Sequence, residues 1–104
     1  MRMMLRFSFP AETGNEALRS GKLQTVFQSF MADLKPEAVY LYPEAGQRGG
    51  IIIFNMDNEA DIARACEPLW FAFGADVELT PVMVPDDLMG ALEQISDIRR
   101  KYDV

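Results

Sequence analysis

Arg2-Met3-Met4-Leu5-Arg6-Phe7-Ser8-Phe9 alternates in character along its whole length. Successive side chains of an extended chain leave on opposite faces, so Met3, Leu5, Phe7 and Phe9 share one side and Met4, Arg6 and Ser8 the other. Residues 2–9 therefore read as a strand with one wholly apolar face and one mixed face. Pro10 ends it, and residues 11–14 are expected to form a loop. The apolar face needs a cover, and the next segment supplies one. Leu23, Val26, Phe27, Phe30, Met31 and Leu34 recur at three- and four-residue spacing and make a broad helical stripe. The helix begins at about Asn15 or at Gly21 and ends at Leu34, whole or in two pieces parted near Ser20-Gly21. Gly21 weakens a continuous helix by about 1 kcal/mol relative to Ala, and Lys35-Pro36 stops it.

Val39 to Tyr42 reads as a second strand, with Val39 and Leu41 on one face and Tyr40 and Tyr42 on the other. Residues 43–50 hold Gly46, Gly49 and Gly50 and read as a hairpin-length loop. Ile51 to Met56 is a third strand, apolar on both faces and so expected inside the sheet. Asp57 and Asn58 suit the cap of a following helix, and Glu59 and Asp61 suit its positive first turn. Ile62, Cys66, Leu69 and Phe73 form its inner line. Pro68 is expected to bend that helix or start a new one, and Gly74 to cap it. Val77 to Val84 is the fourth strand, placed by Pro81 at a sheet edge or a bulge. Pro85-Asp86-Asp87 opens a last helix with Leu88, Leu92, Ile95 and Ile98 as its apolar line.

The order is β-α-β-β-α-β and then a helix, an α+β arrangement of the ferredoxin-like, split βαβ kind. Residues 1–104 are read as one domain, with 1–84 as the βαββαβ core and 85–104 as the C-terminal helix. Two helices cover one face of a four-stranded antiparallel sheet, leaving the other face bare. That bare face carries Met4, Arg6 and Ser8, Tyr40 and Tyr42, Ile51, Ile53 and Asn55, then Glu78, Thr80 and Val82. It is too apolar to leave to water and too polar for a sealed core, where Arg6 and Glu78 would need partners. A second sheet packed over it across a wet or ligand-filled gap meets both constraints.

The chain has 104 residues, a net charge of −6, one cysteine and no histidine. An acidic surface repels phosphate backbones, which argues against nucleic acid. Arg99, Arg100 and Lys101 read as a helix end where positive charge suits the dipole. Cys66 is alone, so no internal disulfide is available, and the inner stripe buries it as an inert thiol. No apolar run reaches the roughly 20 residues of a membrane span, and the cytoplasm is the expected location. Asp57, Glu59 and Asp61 read as dipole-matched acids, so no metal and no cofactor is called for.

Four segments carry a resemblance: Asp33-Leu34-Lys35-Pro36-Glu37-Ala38, Arg48-Gly49-Gly50-Ile51-Ile52-Ile53-Phe54, Glu67-Pro68-Leu69-Trp70-Phe71-Ala72-Phe73, and Val77-Glu78-Leu79-Thr80-Pro81-Val82-Met83. Over residues 1 to 90 the chain resembles a group of small uncharacterised bacterial proteins within the dimeric α/β-barrel superfamily. The resemblance implies a homodimer with sheets packed face to face. The wider superfamily includes cofactor-free monooxygenases, an isomerase and haem proteins, several of which lean on a histidine that this chain lacks.

The candidate ligand-binding residues are Arg6, Tyr40, Tyr42, Asn55, Trp70, Phe71, Glu78 and Thr80. In the sheet order 4-1-3-2, Arg6 and Glu78 become cross-strand neighbours, either as a structural ion pair or as an anchor for an acidic ligand. Tyr40 and Tyr42 either fill an interface or offer hydroxyls to a bound carbonyl. Trp70 and Phe71 cap a cavity, enter the interface or belong to the peripheral core. Three functions remain open: a homodimer that binds a small, partly aromatic or acidic molecule, a cofactor-free monooxygenase- or isomerase-like enzyme, or a structural dimer without a pocket.

Overall fold

In the computed structural model, which describes residues 1–104, β1 (Arg2–Phe9) is extended over the whole alternating segment. Helices follow at once. Residues 11–14 belong to α1 (Ala11–Ser20) rather than to a loop. Pro10 has the φ of −57° its ring imposes, and its carbonyl accepts the Gly14 N–H at 3.0 Å, closing the first helical turn. Gly21, with φ of 79°, then separates α1 from α2 (Lys22–Leu34). The two-piece reading is the one adopted.

β2 (Ala38–Glu44) and β3 (Gln47–Asn55) are both longer than expected, and the loop expected over 43–50 contracts to Ala45 and Gly46. Both residues have positive φ, 52° and 80°, the two-residue turn that matches strand twist. Gly49 and Gly50 lie inside β3 and turn nothing. Met56 falls outside the strand.

α3 (Asp61–Phe73) starts later than Asp57 and Asn58 would have it. Those two residues form a lead-in turn, because the Asp61 carboxylate reaches back to their N–H groups and holds them outside the helix. Ile62 is half exposed in the first turn, and Ala65 joins Cys66, Leu69 and Phe73 on the buried line. Pro68 neither ends α3 nor starts another helix. One helix runs through it, forgoing only the bond to the Arg64 carbonyl. Gly74 caps it with φ of 56°.

β4 (Asp76–Pro81) is shorter than expected, although the Val82 N–H still reaches the Arg2 carbonyl at 3.2 Å, and Pro81, which has no N–H, sits where an edge strand tolerates it. All four strands form one antiparallel sheet, β2-β3-β1-β4, with β4 at the edge that Pro81 indicated. This is the ferredoxin-like arrangement. The core lies between the sheet and α1–α3, with Leu5, Phe7, Ile52, Phe54, Leu69 and Phe73 the largest fully buried side chains. Phe9 stacks on Phe73 at 4.9 Å, and Phe27 reaches Phe7 at 5.6 Å and Phe73 at 5.8 Å. These rings join β1, α2 and α3.

The single C-terminal helix expected is two, α4 (Pro85–Gly90) and α5 (Leu92–Tyr102), parted at Ala91 after the helix-weakening Gly90. Neither has a buried residue. The molecule measures 58 × 27 × 20 Å, with a radius of gyration of 17.4 Å. A compact chain of 100 residues has about 13 Å, so α4–α5 projects from the body.

Candidate functional site

Paired residues of an antiparallel ladder share a face. Arg6 pairs with Ile51 on one side and Glu78 on the other, and Ile51 pairs with Tyr40. Tyr40, Ile51, Arg6 and Glu78 thus form a row across the uncovered face. The next row is Ala38, Ile53, Met4 and Thr80, and on the other side lie Tyr42, Gly49, Ser8 and Asp76. The helices pack on the opposite face, so no other part of this sheet's own layer covers these rows.

Arg6 stands on the central strand β1. Its Nη1 lies 3.5 Å from Glu78 Oε2, across the register that the sequence predicted. Both side chains are partly open to solvent, so the pair contributes little to stability in this state. The Arg6 Nε is shielded from solvent and has no hydrogen-bond partner. Beside it is a basin of about 410 Å³ walled by Arg6, Ser8, Glu44, Asp76 and Glu78. Tyr42 borders it. The nearby Glu44 carboxylate, with some burial, lifts its phenol above the ordinary range, while Arg6 pulls the other way.

Arg6, Tyr40, Tyr42, Glu78 and Thr80 are therefore brought to one face. Asn55 shares that face but lies at its far end. It accepts from the Met1 ammonium at 2.7 Å and donates to Asp57 at 2.9 Å, beside a second hollow that Arg2, Glu37 and Asp87 also line. Trp70 and Phe71 sit on α3, across the sheet from Arg6. Phe71 is 86% exposed and Trp70 about half exposed, so neither is peripheral core. Sequence reading missed Glu44 and Asp76 as basin residues. Alternation carried two places beyond Tyr42 and two before Glu78 reaches both, but the assumed 43–50 loop hid the first.

Elsewhere, Asp61 Oδ2 accepts the N–H groups of Asp57 at 2.8 Å and Asn58 at 3.4 Å. These bonds, led by that from Asp57 and aided by Arg64, hold its carboxyl below the ordinary 3.8. A depressed carboxylate stabilises the fold above its unfolded value, and the stabilisation is lost as pH falls through the folded value. The Asp61→Asn variant is expected to melt below the wild type at neutral pH. The gap should narrow as the pH falls below 3.8, which thermal melts across that range would read. Cys66 is buried, and its burial, with the nearby Glu67 charge, pushes the thiol up. No set of three or more His, Cys, Asp or Glu side chains gathers in metal-binding geometry, and no helix is long and apolar enough to cross a membrane.

The model of one protein family, the domain of unknown function DUF3303, matches residues 1–96. This chain belongs to the DUF3303 family. No curated protein matches the DUF3303 chain significantly. Among solved structures it is similar to a formyltetrahydrofolate deformylase from Pseudomonas putida KT2440, at 19% identity and a TM-score of 0.51. The match covers 79% of the DUF3303 chain but only 29% of the deformylase. At that identity the likeness concerns the fold of a portion of the deformylase.

Proposed function

We propose that this DUF3303 chain works as a cytoplasmic homodimer of the dimeric α/β-barrel type. Two uncovered sheet faces close over a small molecule held between them. The observation that carries this reading is the row Tyr40, Ile51, Arg6, Glu78 and its neighbours Met4 and Ile53, which no element of the sheet's own layer covers. Tyr40 is 63% exposed there. A face of this mixture gains stability when a like surface covers its apolar part. Closure would turn the open basin beside Arg6 into an enclosed one and give the unpartnered Nε an acceptor.

Of the two ligand classes the sequence suggested, the basin supports the aromatic one. Glu44, Asp76 and Glu78 line the basin beside a single guanidinium and repel a further acid. A flat, neutral or amine-bearing aromatic suits both the carboxylates and the flanking tyrosines. A phenol lifted above its ordinary range is a poor base at neutral pH, which weighs against Tyr42 as a catalytic base.

Sedimentation and native mass spectrometry test the reading. The wild type is expected at twice the 11.7 kDa chain mass at micromolar concentration. Tyr40→Asp, a change at an exposed position, should keep the fold and weaken association by about a hundredfold or more, as loss of a buried interface aromatic does. A monomeric wild type would sink the dimer and the enclosed basin together.

A further inference from the structure

The helices do not cover their face of the sheet out to the β2 edge. On that face the register sets Phe7, Gly50 and Leu41 in one row and Phe9, Arg48 and Pro43 in the next. Gly50 has no side chain to fill the space between Phe7 and Leu41. A crevice of about 290 Å³ is walled there by Phe7, Phe9, Leu23, Phe27 and Leu41, with Arg48 as its one charged residue. Leu41 is 70% exposed although it points to the helix-covered face, so the crevice is open at β2. Water finds few hydrogen bonds against such walls, and an apolar body displaces it favourably. The volume is at the low end for ligand sites and suits a single ring with a short side chain.

The charged residue of the lining is set apart from the other arginines. Arg2, Arg6, Arg19, Arg64, Arg99 and Arg100 each lie against a carboxylate, and Arg48 does not. This is notable in a chain whose net charge is −6. Arg48 is held in place all the same. Its Nη1 donates to the Ala11 carbonyl at 3.2 Å. A Cβ at Gly14 would stand 2.8 Å from that Nη1, so the bare glycine lets the guanidinium lie against α1. The rest of its donor fork is unused, and such a fork matches the two oxygens of a carboxylate.

We infer that this crevice is a binding site for a small aromatic monocarboxylate. Its ring lies among Phe9, Phe27 and Leu41, and its carboxylate pairs with Arg48. Ring-on-ring contact with the phenylalanines favours an aromatic body over an aliphatic one. A cation would be repelled by Arg48, and a neutral molecule would leave the guanidinium unanswered. The crevice and the basin beside Arg6 lie on opposite faces of the sheet and prefer opposite charges. The inference therefore does not depend on the homodimer, and a monomeric wild type leaves it standing.

The test uses the full chain, with phenylacetate and its uncharged analogue phenylacetamide as probes and methyl NMR as the readout. Phenylacetate is expected to shift the Leu23 and Leu41 methyl signals. Phenylacetamide should bind at least about tenfold more weakly, the difference that charge-assisted bonds to a guanidinium make. Arg48→Gln should bind the two probes alike, and Arg48→Lys should keep part of the preference for the acid. Equal affinity of the wild type for acid and amide overturns the pairing with Arg48, as does an undiminished preference in Arg48→Gln. Shifts at Met4 and Ile53 in place of Leu23 and Leu41 put the probe on the open face and overturn the site. No shift with either probe overturns it as well.

Discussion

Phe73→Ala is expected to remove about 3–5 kcal/mol of stability, as loss of a fully buried aromatic does. Domains of this size have about 5–15 kcal/mol in all, so the variant should unfold at a much lower urea midpoint than the wild type, or be unfolded without urea. The ring stacks on Phe9 at 4.9 Å and on Phe27 at 5.8 Å, and the Lys22 ammonium lies 5.9 Å from its centre. Its removal leaves a void where β1, α2 and α3 meet, and those three elements cannot close it without shifting together. Phe71→Ala, two residues earlier on the same helix but exposed, should alter the midpoint by about 0.5 kcal/mol or less. Equal effects from the two changes would contradict this core.

Gly50→Ala should cost about 3 kcal/mol or more, large for the addition of one methyl group. A Cβ at Gly50 would run into the Tyr40 carbonyl oxygen and come within 3.2 Å of Leu41 Cα. At Gly49 it would run into the Phe7 carbonyl oxygen and approach Ser8 Cα at 3.2 Å. One glycine lets β3 close on β2 and the other lets it close on β1, so either methyl group pushes a strand off the sheet. Gly74→Ala is the control. Its φ is 56°, yet a Cβ there meets nothing within 4 Å, so the change should cost only about 1 kcal/mol. Urea unfolding of Gly50→Ala and Gly74→Ala separates collision from backbone preference.

These glycines also explain where the sequence was readable. Alternation gave β1 to the residue, because four apolar side chains on one face leave a single register. The same logic places Tyr40, Arg6, Glu78 and Thr80 on one face. It fails at residues 43–50, where three glycines read as a turn. Two of the three glycines there serve close approach of strands, and composition does not separate those uses. It failed again at residues 11–14, because Pro10 suits the start of a helix as well as the end of a strand. The stripe of α4–α5 was legible as a stripe. Its break at Ala91 and its projection were not, because periodicity specifies which side of a helix is apolar and says nothing about what lies against it.

The basin was half legible. Arg6 and Glu78 follow from period two, and Glu44 and Asp76 follow from the same period once β2 and β4 have their full lengths. Trp70 and Phe71 enter the sequence reading of the site because they fall off the inner stripe beside Pro68 and are costly to expose. Their helix stands on the other side of the sheet from Arg6, a separation that only the tertiary arrangement sets.

The lone thiol of Cys66 is sealed beneath α3 and pushed toward its protonated, unreactive form. That makes it a stopwatch fitted inside the molecule. A maleimide or an aromatic disulfide reagent can modify it only in the instants when α3 lifts away, so in excess reagent the labelling rate times those openings directly. Every core substitution described above can be ranked on that clock in plain buffer, with no denaturant and no added probe.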